Sequence, residues 1–394
     1  MKPPEGLAIV PGQVCKLEKS LYGLKQASRQ WNFKLKFVLL ELGYNQCKSD
    51  YSMFTKSQST GFTVILVYVD DLVLAGDDLF KIERVKQTLH DRFRIKDIGD
   101  LKFFLGLEVA RSSKGIALYQ RKNVLDLLRD TGFKHCKPAS TPMDYGAKLS
   151  KDDGDSLPDS SDYRKIIGKL LYLSNTGPDI SFAIGKLSQF LDCPTPNHLQ
   201  AAHRILRYIK NSPAAGLFFS ANSDLSLTGF FYFDWAGCPN SRRSVLAYCF
   251  YVGSSLVTWK IKKQVTVAVS SSEVEYQALA LATREAQWLS YVLKDLGAFL
   301  SKPVNLYCDS KSAIYLATNS VFHERTKHIE ADCHIVRDKL QEGLIHLLPI
   351  STHEQVTDIM TKPLAPGPFN TLCSKLGLLD IFMPNPPILR EGIT

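Results

Sequence analysis

The 394-residue sequence predicts an α/β protein: an α+β segment first, a helical connection in the middle and a mixed-sheet domain last. Three observations carry this. Apolar residues recur at helical spacing in segments of ten to twenty-five residues, with caps and stops at their ends. Between them lie short apolar runs bounded by Gly, Pro and Asp, the signature of strands. From about residue 223 the order settles into three β runs followed by α-β-α-α-β-α, which one mixed sheet covered by helices accommodates. The predicted bounds are 1–137, 138–222 and 223–382, with a tail at 383–394.

In order along the chain, a Pro/Gly-rich lead from Lys2 to Gly12 precedes a helix over Gln26–Leu42. There Trp31, Leu35, Val38, Leu39 and Leu42 share a face and Gly43 supplies a stop. Ser52–Thr55 and Phe62–Val69 read as strands; Asp70-Asp71 breaks the pattern and Leu72–Ala75 resumes it, making a hairpin with carboxylates at its turn. Residues 80–93 read as a helix with Val85, Leu89 and Phe93 on one side. Leu101–Val109 and Ile116–Tyr119 form a second hairpin, and Arg121–Thr131 a short helix. Pro138–Ser161, dense in Pro, Ser, Gly and Asp, reads as a linker. Helices follow at Tyr163–Asn175, Ile180–Leu191 and His198–Asn211. On the last, Arg204 and Arg207 share a face with Lys210 nearby, which is either a solvated face or one that meets phosphate. Strands are predicted at Leu225–Phe233, Val245–Val252 and Ser255–Ile261. Then come a helix over Ser272–Leu296, stopped by Gly297, and a strand Val304–Cys308 running into a helix opened by Asp309. A helix near Lys327–Glu342, a strand Leu344–Pro349 and a helix Glu354–Thr361 complete the series.

Composition narrows the function classes. Hydrophobic residues at 45% and charged residues at 22% suit a globular chain and are too apolar for a disordered one. The balance of 48 Lys+Arg against 39 Asp+Glu gives +9, which permits a polyanionic partner without requiring one. Nine scattered cysteines without a C-x-x-C pair, and no signal peptide, favour reduced thiols and an intracellular setting, cytoplasmic or nuclear. The longest apolar run, around Val64–Ala75, is split by two aspartates and is no membrane span.

Two constellations bear on chemistry. In Tyr68-Val69-Asp70-Asp71, two adjacent carboxylates on a hairpin turn suit a shared divalent cation, or simply an acidic turn, since Asp is a favoured turn residue. In the last domain, Ser270 and Glu273 make a capping box, which leaves Glu275 without that explanation. Asp309 and Asp358 stand at helix starts, where an acid complements the dipole in any case. His323, His328, Cys333 and His334 do not have the spacing to surround zinc and read as helix-surface residues. Trp259 among Lys260, Lys262 and Lys263 has the composition of a nucleic-acid face.

The surroundings of the first constellation carry a resemblance. Tyr22-Gly23-Leu24-Lys25-Gln26-Ala27, Tyr68-Val69-Asp70-Asp71 and Phe104-Leu105-Gly106-Leu107-Glu108 occur in the order found in copia-type LTR retrotransposon Pol proteins. Tyr163 to Leu173 and Ala201 to Tyr208 resemble the segment joining polymerase to RNase H, and the likeness runs from about residue 1 to about residue 382. The resemblance implies a truncated reverse transcriptase palm, a helical connection and an RNase H-like domain. It also implies two Mg²⁺ ions at each centre and RNA–DNA hybrid or primer-template as partner. It assigns Asp70 and Asp71 to the palm's metal ligands, with the third carboxylate expected upstream of Met1. Glu275, Asp309 and Asp358 match the second, third and fourth RNase H acids. Lys25, Gln26, Arg204, Arg207, Arg325 and Lys327, all within family blocks, are candidate nucleic-acid contacts.

The first RNase H acid is where the sequence departs from the family. The family pattern Gly-Tyr-Ser-Asp-Ala-Asp-Trp-Ala-Gly is here Gly229-Phe230-Phe231-Tyr232-Phe233-Asp234-Trp235-Ala236-Gly237, so Tyr232 takes the place of the metal-bridging aspartate. Asp234 lies two residues along the strand, roughly 6.5 Å away. A phenol with an ordinary pKa of about 10 does not replace a bridging carboxylate. The sequence therefore predicts impaired hybrid cleavage and no independent polymerisation. Two other readings are a nucleic-acid-binding module without turnover and a degenerate product that does not fold.

Overall fold

The computed structural model describes residues 23–383 apart from 60, 148, 152, 153 and 319–329, together with residues 12, 14, 16 and 21. The chain divides into two compact units: Met1–Gly99 with Tyr291–Gly297, and Asp100–Ser290 with Ala298–Thr394.

In the first unit, α1 (Ala27–Glu41) buries Leu35, Val38 and Leu39, the helical-period stripe. β1 (Asn45–Gln46), β2 (Met53–Gln58), β3 (Gly61–Tyr68) and β4 (Asp71–Gly76) form an antiparallel sheet in sequential order. Along β3, Thr63, Ile65 and Val67 point inward, the period of two that a half-buried strand requires. α2 (Leu79–Phe93) begins at Asp78, whose carboxylate accepts from Lys81 N–H as an N-cap, and packs Val85 and Leu89 onto the sheet core with Phe54 and Ile65.

The second unit opens with β5 (Phe103–Phe104), β6 (Leu107–Ser112) and β7 (Gly115–Tyr119), followed by α3 (Arg121–Asp130). Helices α4 (Ser161–Leu173), α5 (Ser181–Leu187) and α6 (Pro196–Ile209) pack with α3 around Tyr163, Ile167, Leu170, Ile184, Leu187 and Leu206. After these come β8 (Ala215–Ser220), β9 (Leu227–Asp234), β10 (Val245–Val252), β11 (Ser255–Lys263), α7 (Ser271–Asp295), β12 (Val304–Cys308), α8 (Lys311–Thr318), α9 (Glu330–Gln341), β13 (Ile345–Pro349), α10 (Pro366–Lys375) and β14 (Leu379–Asp380). One sheet has the order β11-β10-β9-β12-β13, antiparallel across its first three strands and parallel across the last three. This is the mixed sheet expected beyond residue 223. The other has the order β14-β8-β7-β6-β5 and is antiparallel.

Several elements differ from expectation. β8 lies where only connection was expected; its Ala-Gly-Leu-Phe-Phe run is too short to declare itself and is held by the ladder to β7. α10 begins in Ala-Pro-Gly-Pro, which reads as a loop, yet Pro is tolerated in a first helical turn, and Phe369 and Leu372 anchor the helix in the core. The helix expected over Glu354–Thr361 is two short 3₁₀ turns, Thr352–Glu354 and Val356–Met360. Gln355, fully buried, separates them: its amide donates to Phe231 O at 3.1 Å and accepts from Thr357 Oγ1 at 2.7 Å, pinning extended backbone to β9. The linker stretch is not wholly solvated, since Ala139, Thr141 and Met143 are buried.

Tyr208 on α6 joins the helical bundle to α10. Its hydroxyl donates to Asp179 at 2.6 Å and its ring meets Phe369 edge-on at 5.6 Å. Burial pushes the Asp179 carboxyl up, against the Tyr208 hydrogen bond. A raised folded pKa means a contribution present below the unfolded value and lost as pH rises through the folded one. Asp179→Asn keeps an acceptor for Tyr208 and cannot ionise, so its stability relative to the wild type should improve from pH 4 to pH 7 in thermal melts. Gly229 on β9 has no room for a side chain: an added Cβ would stand 2.4 Å from Phe250 and 2.7 Å from Leu306. Gly229→Ala should cost about 1–3 kcal/mol of overpacking, measured by denaturant titration.

Candidate hydrolytic centre and nucleic-acid interface

The acids expected to act together in the second unit are Glu275, Asp309 and Asp358, and Asp234 on β9 acts on one of them. Asp358 sits in the 356–360 turn that Gln355 pins against β9, and it is 5% exposed. Burial pushes its carboxyl up; Lys362 opposes this, and Asp309 and Asp234 reinforce it. Asp309 follows β12 and accepts from Thr352 Oγ1 at 3.4 Å. Glu275, on the first turns of α7, is buried. It and Asp309 both act on the Cys308 thiol, pushed up to about 12 mainly by burial. Tyr232 and Asp234 lie on one face of β9, as their spacing of two requires.

Tyr232 stands inside this group. Burial holds its phenol above the ordinary value, Lys362 works the other way, and Asp358 and Asp309 add to the rise, so it is neutral at physiological pH. Lys362 ties the cluster together: its ammonium is 2.9 Å from Asp358 Oδ2 and 4.9 Å from the centre of the Tyr232 ring. The other oxygen, Asp358 Oδ1, is buried without a hydrogen-bond partner. That orphan is an acceptor of the hard-oxygen kind a divalent cation takes. A pair of ions does not fit, however. Among the described residues no three His, Cys, Asp or Glu side chains close around one point. The Tyr232 phenol stands among these groups, and the Lys362 ammonium already satisfies one carboxylate oxygen.

In the first unit, Asp70 and Asp71 sit at the β3–β4 turn, both exposed. Val69 takes a left-handed φ of 50°, and its carbonyl accepts from Trp31 Nε1 at 2.8 Å, which fixes the turn to α1. Among the described residues no third acid joins the pair. Lys25 and Gln26 are exposed just before and at the N-cap of α1.

Arg204 differs from expectation. Its guanidinium donates to Thr141 O at 3.1 Å and Thr141 Oγ1 at 2.9 Å, so it clasps the chain's own 137–144 segment instead of offering a free fork to phosphate. Arg207 donates Nε to Lys137 O at 2.8 Å, and Lys210 Nζ to Cys136 O. Arg325, Lys327, His323 and His328 lie outside the described residues. Cys333 is buried in α9. Sequence reasoning missed Lys362, although a lysine four residues after an acid is a recognisable pairing. It also missed Arg242 and Arg243, exposed ahead of β10, which with exposed Lys260 and Lys262 on edge strand β11 make a basic margin to the mixed sheet.

Residues 1–145 match the family described as reverse transcriptase (RNA-dependent DNA polymerase). The chain is 42% identical over 371 residues, 94% of its length, to the retrovirus-related Pol polyprotein from transposon RE1 of Arabidopsis thaliana. It is 33% identical over 269 residues to the putative transposon Ty5-1 protein of Saccharomyces cerevisiae, covering 68% of this chain and 87% of that protein. The chain belongs to the copia-type retrotransposon Pol family. It spans 25% of the RE1 Pol polyprotein, so it corresponds to one stretch of a Pol protein. The foamy viral protease-reverse transcriptase in complex with dsDNA is 14% identical, covering 84% of this chain and 60% of that one, with a TM-score of 0.45. No helix of this Pol stretch, among the described residues, is long and apolar enough to cross a membrane.

The Lys362–Asp358 pair is testable by itself. Lys362→Met leaves a buried carboxylate without its cation, and should cost roughly 1–3 kcal/mol at pH 7. Loss of the lysine raises the Asp358 pKa further, so the penalty exists where Asp358 would ionise and shrinks as pH falls towards 4. Urea titrations at the two pH values measure the difference.

Proposed function

We propose that this chain is the reverse transcriptase-to-RNase H stretch of a copia-type Pol protein, engaging RNA–DNA hybrid through the RNase H-like domain without efficient hydrolysis. The carrying observation is Tyr232: a neutral phenol over the Lys362 ammonium, in the field of Asp358 and Asp309, where the family resemblance calls for a carboxylate. Two-metal hydrolysis needs ligands that bridge ions about 4 Å apart, and a neutral phenol supplies no charge for that. Mg²⁺ is the cofactor of the family reading, and Glu275, Asp309 and Asp358 are the residues that would meet it. Asp70 and Asp71 are assigned to the palm on the same resemblance.

Binding rests on the basic margin. Arg242, Arg243, Lys260 and Lys262 are exposed along one side of the mixed sheet, and the chain carries +9 overall. Contacts of this kind neutralise phosphates, release counterions and weaken steeply with salt.

Tyr232→Asp should raise Mg²⁺-dependent cleavage of a labelled RNA–DNA hybrid by about 10²-fold, the order that one charged group contributes in a preorganised site. Equal turnover in the wild type and the variant, with both folded, would refute the reading. Hybrid affinity measured by anisotropy should be the same in both and fall linearly with the logarithm of salt concentration. Replacing Arg242 and Arg243 with Ala should reduce that slope by about two.

A further inference from the structure

Beside the acid cluster, with Asp234 and Thr361 on its lining, the second unit holds a cleft of about 1130 Å³ between α5 and strands β9 to β11. Its wall carries apolar surface from Phe182, Val257 and Trp259, and it brings Cys238, Lys263 and Lys186 together. The Lys263 ammonium donates to Cys238 Sγ at 2.9 Å and to Gln189 Oε1 at 2.7 Å, so it is oriented from α5's side as well as bonded to sulfur. Lys186 acts on the same sulfur through space, and Asp234 acts on Lys186. Cys238 follows the left-handed Ala236 and Gly237, where an added Cβ would run into the Asp234 carboxylate. A buried thiol in apolar surroundings would be inert; a thiol hydrogen-bonded by a lysine on a cavity wall is a nucleophile.

We propose that Cys238 is a reactive thiolate that takes a small anionic disulfide from solution into this cleft and forms a mixed disulfide with it. The Cys238 sulfur attacks one sulfur of the ligand. A new S–S bond forms, the ligand's own S–S bond breaks, and the other half leaves as a thiolate that takes a proton from water. Lys263 keeps Cys238 deprotonated before attack, and Lys186, for which no carboxylate among the described residues lies within ion-pair distance, draws the ligand's carboxylates. The ionisation agrees with this. Burial pushes the thiol up, but the Lys263 hydrogen bond and the backbone at Ser241 bring it down to about 6. The buried Cys249 and part-buried Cys373 thiols are instead raised, chiefly by desolvation. The cleft's volume admits a molecule of tripeptide size, although only 5% of the Cys238 surface is open at rest.

The test uses the native full-length chain and 5,5′-dithiobis(2-nitrobenzoate), a dicarboxylate disulfide whose released thiolate absorbs visible light, at pH 6.5. One thiol should react at least about tenfold faster than any other. The fast phase should vanish in Cys238→Ser, slow by about tenfold in Lys263→Met, and be largely retained in Lys263→Arg. Lys186→Met should slow the anionic reagent more than the uncharged 2,2′-dithiodipyridine. A Lys263→Met variant that merely unfolds would expose several thiols at once and raise the number reacting, a different signature. Absence of a fast phase, or its persistence in folded Cys238→Ser with exposed Cys193 reacting instead, would overturn the proposal.

Discussion

A carboxylate taken out of water must find a cation or a proton, and at Asp358 the fold answers with Lys362. The pairing places a fixed positive charge among groups from β9, the end of β12 and the 356–360 turn. Like-charged side chains on separate elements would otherwise repel as the sheet and its flanking segments closed. The ammonium offsets that repulsion and meets the Tyr232 ring face, where a cation gains a further electrostatic contact. Tyr232 fits here for a physical reason: a neutral aromatic face adds no charge for the cluster to balance and meets the Lys362 ammonium.

The scaffold that positions this cluster is held by contacts far apart in sequence. Gln355 ties the turn bearing Asp358 to the backbone of β9, and Tyr208 ties the helical bundle to α10 through a buried hydroxyl and an aromatic edge. Arg204, Arg207 and Lys210 fasten the 136–144 segment along α6, so a stretch composed like a flexible linker is strapped to a helix. The guanidinium fork suits this work: it meets carbonyl and hydroxyl oxygens together with little loss of freedom per bond.

Much of the architecture was legible because it rests on periodicity. The α1 stripe of Leu35, Val38 and Leu39, the alternation along β3, and the capped start of α7 are all local patterns. At α7, Glu273 N–H reaches Ser270 Oγ at 3.3 Å as the letters suggest, while the Glu273 carboxylate accepts from Val269 N–H, one residue before the cap, at 2.9 Å. Glu275, Asp309 and Asp358 were named together on family motifs, and no periodicity or spacing links them. What stayed hidden was tertiary. Nothing in the letters around Arg204 says that its donors go to Thr141. The Gln355 pin, which replaces a helix by two short turns, depends on a carbonyl 124 residues away. The bond between Cys238 and Lys263 arises because the β9–β10 turn and the end of β11 meet in space, and no sequence spacing encodes it.

The strand order of the mixed sheet has a consequence for synthesis on the ribosome. β9 is central, yet its parallel neighbour β12 emerges some seventy residues later, after the whole of α7. Until Val304–Cys308 has left the exit tunnel, the β9–β11 meander carries one bare edge of unpaired amides, the kind of template on which nascent chains stick to one another. A premature stop codon between α7 and β12 would make that interval permanent. Reading-frame damage in this interval would therefore yield aggregates sooner than a shortened soluble fragment, and cellular quality control would meet it as a misfolded chain.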